Sequence, residues 1–145
     1  MSVVPNDMDA YIGMVSEAVV KAEESILEHY EMELPNECVG MIWADGSVQR
    51  LVNQARSPDR FSVSQTQMAE RFAEKTEEDL LIGIYHSHPN GSPVLSPIDE
   101  KMFRAQFKKD LFIPWMIVTP WQLLYYWLDD DDRIQARVSS IGVRV

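Results

Sequence analysis

Apolar residues at Met8, Ile12, Val15, Val19, Ala22 and Ile26 recur at intervals of four and three, which lays one apolar stripe along a helix. Asn6 or Asp7 can cap its start. His29 falls in the same helical segment and is expected to be solvated. Residues 39–43 and 48–52 then flank Ala44-Asp45-Gly46-Ser47, whose Asp-Gly pair favours a tight hairpin. After a looser connection over 53–61, Ser64 and Gln67 have capping-box spacing and open a helix over 64–78, with Met68 and Phe72 on one face. The apolar, partly β-branched run 80–85 reads as a buried strand that continues to residue 88. A helix over 96–109 and strands near 114–119, 122–128 and 134–138 complete the order α-β-β-α-β-α-β-β-β. This order predicts an α/β fold, a single domain over residues 1–145 with a mixed β-sheet flanked by helices.

Composition narrows what such a domain can do. The 145 residues carry a net charge of −10, and no Lys/Arg cluster suited to a phosphate backbone appears, which argues against nucleic acid as a partner. Lys108-Lys109 is better read as pairing with a helix dipole. The longest apolar run, 113–119, is too short to span a membrane, and no basic leader precedes an apolar stretch, so a cytoplasmic location is expected. The single cysteine, Cys38, excludes an internal disulfide framework, and strand alternation turns it away from Glu37 into the core. Asp129 to Asp132 is a run of four acids, read as a solvated hairpin turn, with an acidic rim for a basic partner as the alternative. Trp115, Trp121, Tyr125, Tyr126 and Trp127 fit core packing, or in part an interface.

The chemistry is concentrated in His86-Ser87-His88-Pro89 and the following ten residues. Residues two apart on a strand share a face, so His86 and His88 project together and Ser87 faces the other way. Pro89 ends the ladder, and Asn90-Gly91-Ser92-Pro93 is turn chemistry. Ser96 as N-cap and Pro97 at the first helical position then put Asp99 in the first helical turn, from which its carboxylate can return beside the imidazoles. Two imidazoles and one carboxylate suit Zn²⁺ and leave a fourth position open, the mark of a catalytic rather than structural site. Glu37, at the mouth of an apolar strand and three residues before Gly40, is the candidate general base. Each element also has an ordinary reading: a strand histidine is commonly a satisfied core group, and Ser96 with Asp99 is what a helix start needs.

Taken together, Glu37, His86-Ser87-His88-Pro89, Ser96 and Asp99 resemble the JAMM (MPN-plus, Mov34/JAB) metalloprotease signature: His-x-His-Pro, six residues, Ser, two residues, Asp. Pro35-x-Glu37-x-x-Gly40 is similar to the compact prokaryotic and viral members, and the resemblance covers nearly the whole chain. It implies the JAB/MPN fold, which is deaminase-like, with His86, His88 and Asp99 as zinc ligands and Glu37 as general acid/base. Ser96 is implied to hold the substrate carbonyl oxygen as it becomes an oxyanion, a role a preorganised hydroxyl suits. A zinc deaminase proper is set aside, because its His-x-Glu and Pro-Cys-x-x-Cys ligands are missing.

Three functions follow from the resemblance. The first is a zinc isopeptidase or protease, deubiquitinase-like, acting after the C-terminal tail of a ubiquitin-like or sulfur-carrier protein. The second keeps the chemistry in a phage or viral tail-assembly or cell-wall peptidase. The third is a non-catalytic MPN scaffold. The chain has no length to spare for the long insertions of eukaryotic deubiquitinating members, so substrate contacts fall to the core domain or to a partner. The sequence leaves open the substrate, the kind of amide bond, a homodimer and an activating partner.

Overall fold

The computed structural model describes residues 8–109, 114–120, 122–129 and 131–139. Three helices and six strands follow in the predicted order: α1 Met8–Glu33, β1 Val39–Trp43, β2 Val48–Leu51, α2 Gln65–Ala73, β3 Leu81–Ser87, α3 Pro97–Lys109, β4 Trp115–Val118, β5 Leu123–Leu128 and β6 Ile134–Ser139. The strands form one mixed sheet in the order β2-β1-β3-β4-β5-β6. Only β3 and β4 run parallel, joined by the crossover through α3, while the other neighbours are antiparallel. The chain thus has the mixed α/β architecture that the sequence pattern requires.

Each face of the sheet is covered because each presents apolar side chains. On one face α1 lays Val15, Ala18, Val19, Ala22, Ile26, Leu27 and Tyr30 against Ile42, Ile82, Met116, Val118 and Tyr125. On the other, Phe103 of α3 packs on Trp115, Ile117, Leu124 and Tyr126, and Met68 of α2 packs on the cluster of Val39, Met41, Trp43, Leu51 and Leu81. Tyr125, Tyr126 and Trp115 are buried and Trp127 packs on both clusters, so the described aromatics serve the core. Trp121, the caps Asn6 and Asp7, and the side chains of Met8, Ile12, Lys108 and Lys109 lie outside the described residues.

Three expectations are corrected. His29 is not solvated: it is 2% exposed, and its Nδ1 lies 2.6 Å from the Tyr85 hydroxyl. It stands three residues after Ile26, on the apolar stripe itself, so its helical position overrode its polarity. The second helix stops at Ala73 instead of continuing to 78. None of its described side chains is buried, so little apolar burial favours more helix past Ala73; residues 76–79 form a turn in which Asp79 Oδ2 accepts the Thr76 N–H. The capping box at its start is half made. Ser64 Oγ accepts the Gln67 N–H, but the Gln67 amide turns away to bond both backbone groups of Val52.

Both turns follow their residue types. Gly46 has φ +89°, and Asp45 Oδ1 accepts the Ser47 N–H, closing the β1–β2 hairpin. Asp129 accepts from the Asp131 and Arg133 N–H groups and from the Gln135 amide, so this first acid of the run organises the β5–β6 turn. Asp131 and Asp132 are exposed, whereas Asp130 lies outside the described residues. No described helix is long and apolar enough to cross a membrane.

Candidate metal centre

The carboxyl end of β3 lies between β1 and β4, where Val39 pairs with His86 and Ser87 pairs with Val118. His86 and His88 leave the strand on the same face. The His88 N–H still bonds Val118 O at 2.9 Å, so the ladder runs to the second histidine and stops at Pro89, which has no N–H to donate. The turn that follows has Gly91 at φ +84° with its N–H on His88 O, and Asn90 Oδ1 accepting the Ser92 N–H. That geometry brings Ser92 O to 2.9 Å from His88 Nδ1. The Tyr126 hydroxyl donates to Pro93 O and fastens the same segment to β5.

Helix α3 returns the carboxylate. Ser96 Oγ accepts the Asp99 N–H at 3.0 Å, and Asp99 Oδ2 accepts the Ser96 N–H at 3.3 Å. The ordinary helix-capping reading of Ser96 and Asp99 is therefore true, and the same bonds aim Asp99 at the histidines. His86 Nε2 and His88 Nε2 are 3.2 Å apart, and Asp99 Oδ2 is 3.2 Å from the first and 3.1 Å from the second. All three residues are buried. Four donors around zinc at about 2.0–2.1 Å stand about 3.3 Å from one another in a tetrahedron, which this triangle nearly matches.

The donor chemistry fits as well. A carbonyl only accepts, so the bond to Ser92 O places the proton of neutral His88 on Nδ1 and leaves a lone pair on Nε2, facing the cluster. Burial pushes His86 below its ordinary value, against the pull of Asp99, and so favours a neutral ring. Burial opposes charge on Asp99 too, but an imidazole that carries a proton on Nε2 bonds its Oδ2, and such bonds hold the carboxyl far below the usual range. A cation in place of that proton would meet two imidazole lone pairs and a carboxylate.

Glu37 sits in the segment between α1 and β1, just past the cis Leu34–Pro35 bond. It is 2% exposed, and its Oε1 has no hydrogen-bond partner. Burial pushes its carboxyl up to about 8; His88 opposes the rise, and Asp99 and Asp59 add to it. A buried oxygen left unpaired is a proton acceptor in waiting. Gly40 allows the placement of β1: a Cβ there would run into the ring of Tyr85. Cys38 is fully buried in the cluster under α1, as alternation requires.

Four neighbours were not assigned to the site from the sequence. Phe61, from the connection after β2, lies over the His86 ring with centroids 4.7 Å apart, and Trp115 meets His86 edge-on at 5.7 Å. Ser87 Oγ accepts the Cys38 N–H at 2.7 Å, tying the segment that carries Glu37 to the histidine strand. Asn53 bonds the backbone of Glu37 directly. Phe61 and Asn53 stand singly in a polar loop that carries no periodicity, and for the strand residues Trp115 and Ser87 only tertiary contact reveals what they touch.

A family model described as prokaryotic homologs of the JAB domain matches residues 19–133, a span that holds Glu37, both histidines, Ser96 and Asp99. No curated protein matches the chain.

Proposed function

The chain belongs to the family of prokaryotic homologues of the JAB domain, and from that premise we propose that it is a zinc-dependent peptidase or isopeptidase. His86, His88 and Asp99 hold the ion, and Glu37 moves the proton. One observation carries this reading: three convergent buried donors stand within electrostatic reach of a buried carboxylate that has an unpartnered oxygen. A purely structural scaffold gains nothing from a buried oxygen left unsatisfied, which costs stability.

When bound, zinc supplies Lewis acidity, lowering the pKa of water at the site to about 7. Glu37 Oε1 takes a proton from the attacking water and later delivers it to the departing amine, for which a carboxyl raised toward neutrality is suited. Ser96 Oγ accepts from the helix N–H of Asp99, so its own O–H stays available to donate to the carbonyl oxygen as charge develops there. Phe61 and Trp115 shield His86 from water. The substrate we assign, on the resemblance of the motif, is a ubiquitin-like or sulfur-carrier protein cut after its C-terminal tail.

Elemental analysis of wild type and His88→Ala, with cleavage of a panel of ubiquitin-like C-terminal fusions by wild type and Glu37→Gln, tests the reading. Expected are about one zinc per chain, its loss in His88→Ala, and cleavage that disappears in Glu37→Gln while zinc stays. Zinc without cleavage of any fusion redirects the search to phage, cell-wall or partner-dependent substrates. A wild type that binds no zinc refutes the proposal.

A further inference from the structure

Glu37 belongs to no helix or strand, so something outside the sheet must hold it. Its N–H donates to Ser57 O at 2.8 Å, and its carbonyl accepts from Asn53 Nδ2 at 3.0 Å. Both of its backbone groups are thus bonded to the 53–62 connection. Asn53 is itself buried, and its amide uses every position it has. Nδ2 donates to Glu37 O and Arg60 O, and Oδ1 accepts the Ala55 and Ser62 N–H groups, all at 3.0–3.1 Å. Two of those bonds bracket Phe61, the ring that lies on His86.

We infer that Asn53 is the positioning residue of the candidate site: one side-chain amide sets both the backbone of Glu37 and the loop that lays Phe61 over His86. This inference rests on the proton-carrying role proposed for Glu37. The geometry explains why the residue is Asn. Aspartate offers only acceptors and would face two carbonyls, and a shorter hydroxyl cannot bridge four backbone groups. The metal donors are fixed separately, through β3 and the α3 cap, so loss of Asn53 displaces Glu37 while leaving the metal cluster standing.

The test compares the zinc-loaded full chain of wild type, Asn53→Asp and Asn53→Ala by zinc content, amide hydrogen exchange and turnover of a cleaved fusion. Asn53→Asp keeps the Oδ1 bonds, so Ala55 and Ser62 amides remain protected, but its second oxygen repels Glu37 O; the displaced Glu37 backbone loses its N–H bond to Ser57 O, and the Glu37 amide exchanges about tenfold faster or more. Asn53→Ala exposes all three amides. In both variants Met41 and Tyr125 amides in the core strands exchange as in wild type, which separates local release from global unfolding. Zinc content is unchanged, and kcat falls about a hundredfold with KM within about twofold. Wild-type protection at Glu37 in both variants, or zinc lost in step with kcat, overturns the role. The exchange readout needs no substrate. A wild type that cleaves no fusion therefore counts against the substrate proposed and leaves the Glu37 amide to uphold or overturn the role of Asn53.

Discussion

A buried carboxyl group with an unpartnered oxygen is a burden on the fold, and Glu37→Gln should reveal its size. In the metal-free protein Glu37 titrates at about 8 instead of 4.5, so between those values the folded state keeps a proton that the unfolded state has released. Stability then falls as pH rises through that window, and the deficit is complete above about pH 8. Each pH unit is about 1.4 kcal/mol, so the gap of about three and a half units amounts to about 3–5 kcal/mol. Glutamine has nearly the same shape and no charge to desolvate. Glu37→Gln should therefore match wild type near pH 4 and exceed it by that amount above pH 8, a rise of about 10 °C in Tm for a chain of this length. The assay is thermal or urea unfolding of both proteins in chelator across that range, with zinc added back. A cation near Glu37 favours its charged form, so zinc narrows the difference. A Glu37→Gln variant that is no more stable above pH 8, or whose gain ignores pH, would show that the carboxylate is an ordinary satisfied group and refute the argument.

Other perturbations read other parts of the fold. His29, buried against Tyr85, is lowered to about 4 by burial and by the nearby Arg50. The unfolded state therefore binds the extra proton between pH 6.5 and 4: the stabilisation is whole above 6.5 and about 3 kcal/mol is lost by pH 4. Urea unfolding at pH 7 and 4.5 should show a smaller acid loss in His29→Gln than in wild type. Gly40→Ala drives a methyl into the buried Tyr85 ring and should cost about 1–3 kcal/mol. Gly83→Ala clashes with the flexible end of Met116 and otherwise makes ordinary contact with Pro114 O, so it should cost less, a ranking that thermal denaturation checks. Ser87→Ala leaves the Cys38 N–H buried without its acceptor. It should destabilise by about 1–3 kcal/mol and spare zinc content, measured by unfolding and chelator titration.

The order of elements could be read from the chain because local periodicity carries it: the stripe of α1, the Asp-Gly turn and the apolar run before His86 each act over a few residues. The convergence of His86 and His88 was equally legible, since two residues on one strand face need no tertiary information. The return of Asp99 was encoded in the Ser96 cap, a contact spanning three residues. Helix α2 ended earlier than its pattern suggested, because periodicity measures what a face could bury and not whether a partner is present to bury it. His29 was misjudged for the complementary reason. Its polarity argued for solvent, but its place on the stripe and the hydroxyl of Tyr85, fifty-six residues away, supplied a buried partner.

What the sequence determined by itself was the donor set and the strand and helix start that present it. Tertiary structure decided where Glu37 stands and what encloses the site. Its backbone is held by Ser57 and Asn53, and the residue after it by Ser87, while Phe61 covers His86 from the same connection. These contacts join segments that no repeat or cap relates. Their stability comes from satisfying buried polar groups and packing rings once the sheet has brought the segments together, and a local pattern cannot encode a bond whose two ends meet only in the finished fold.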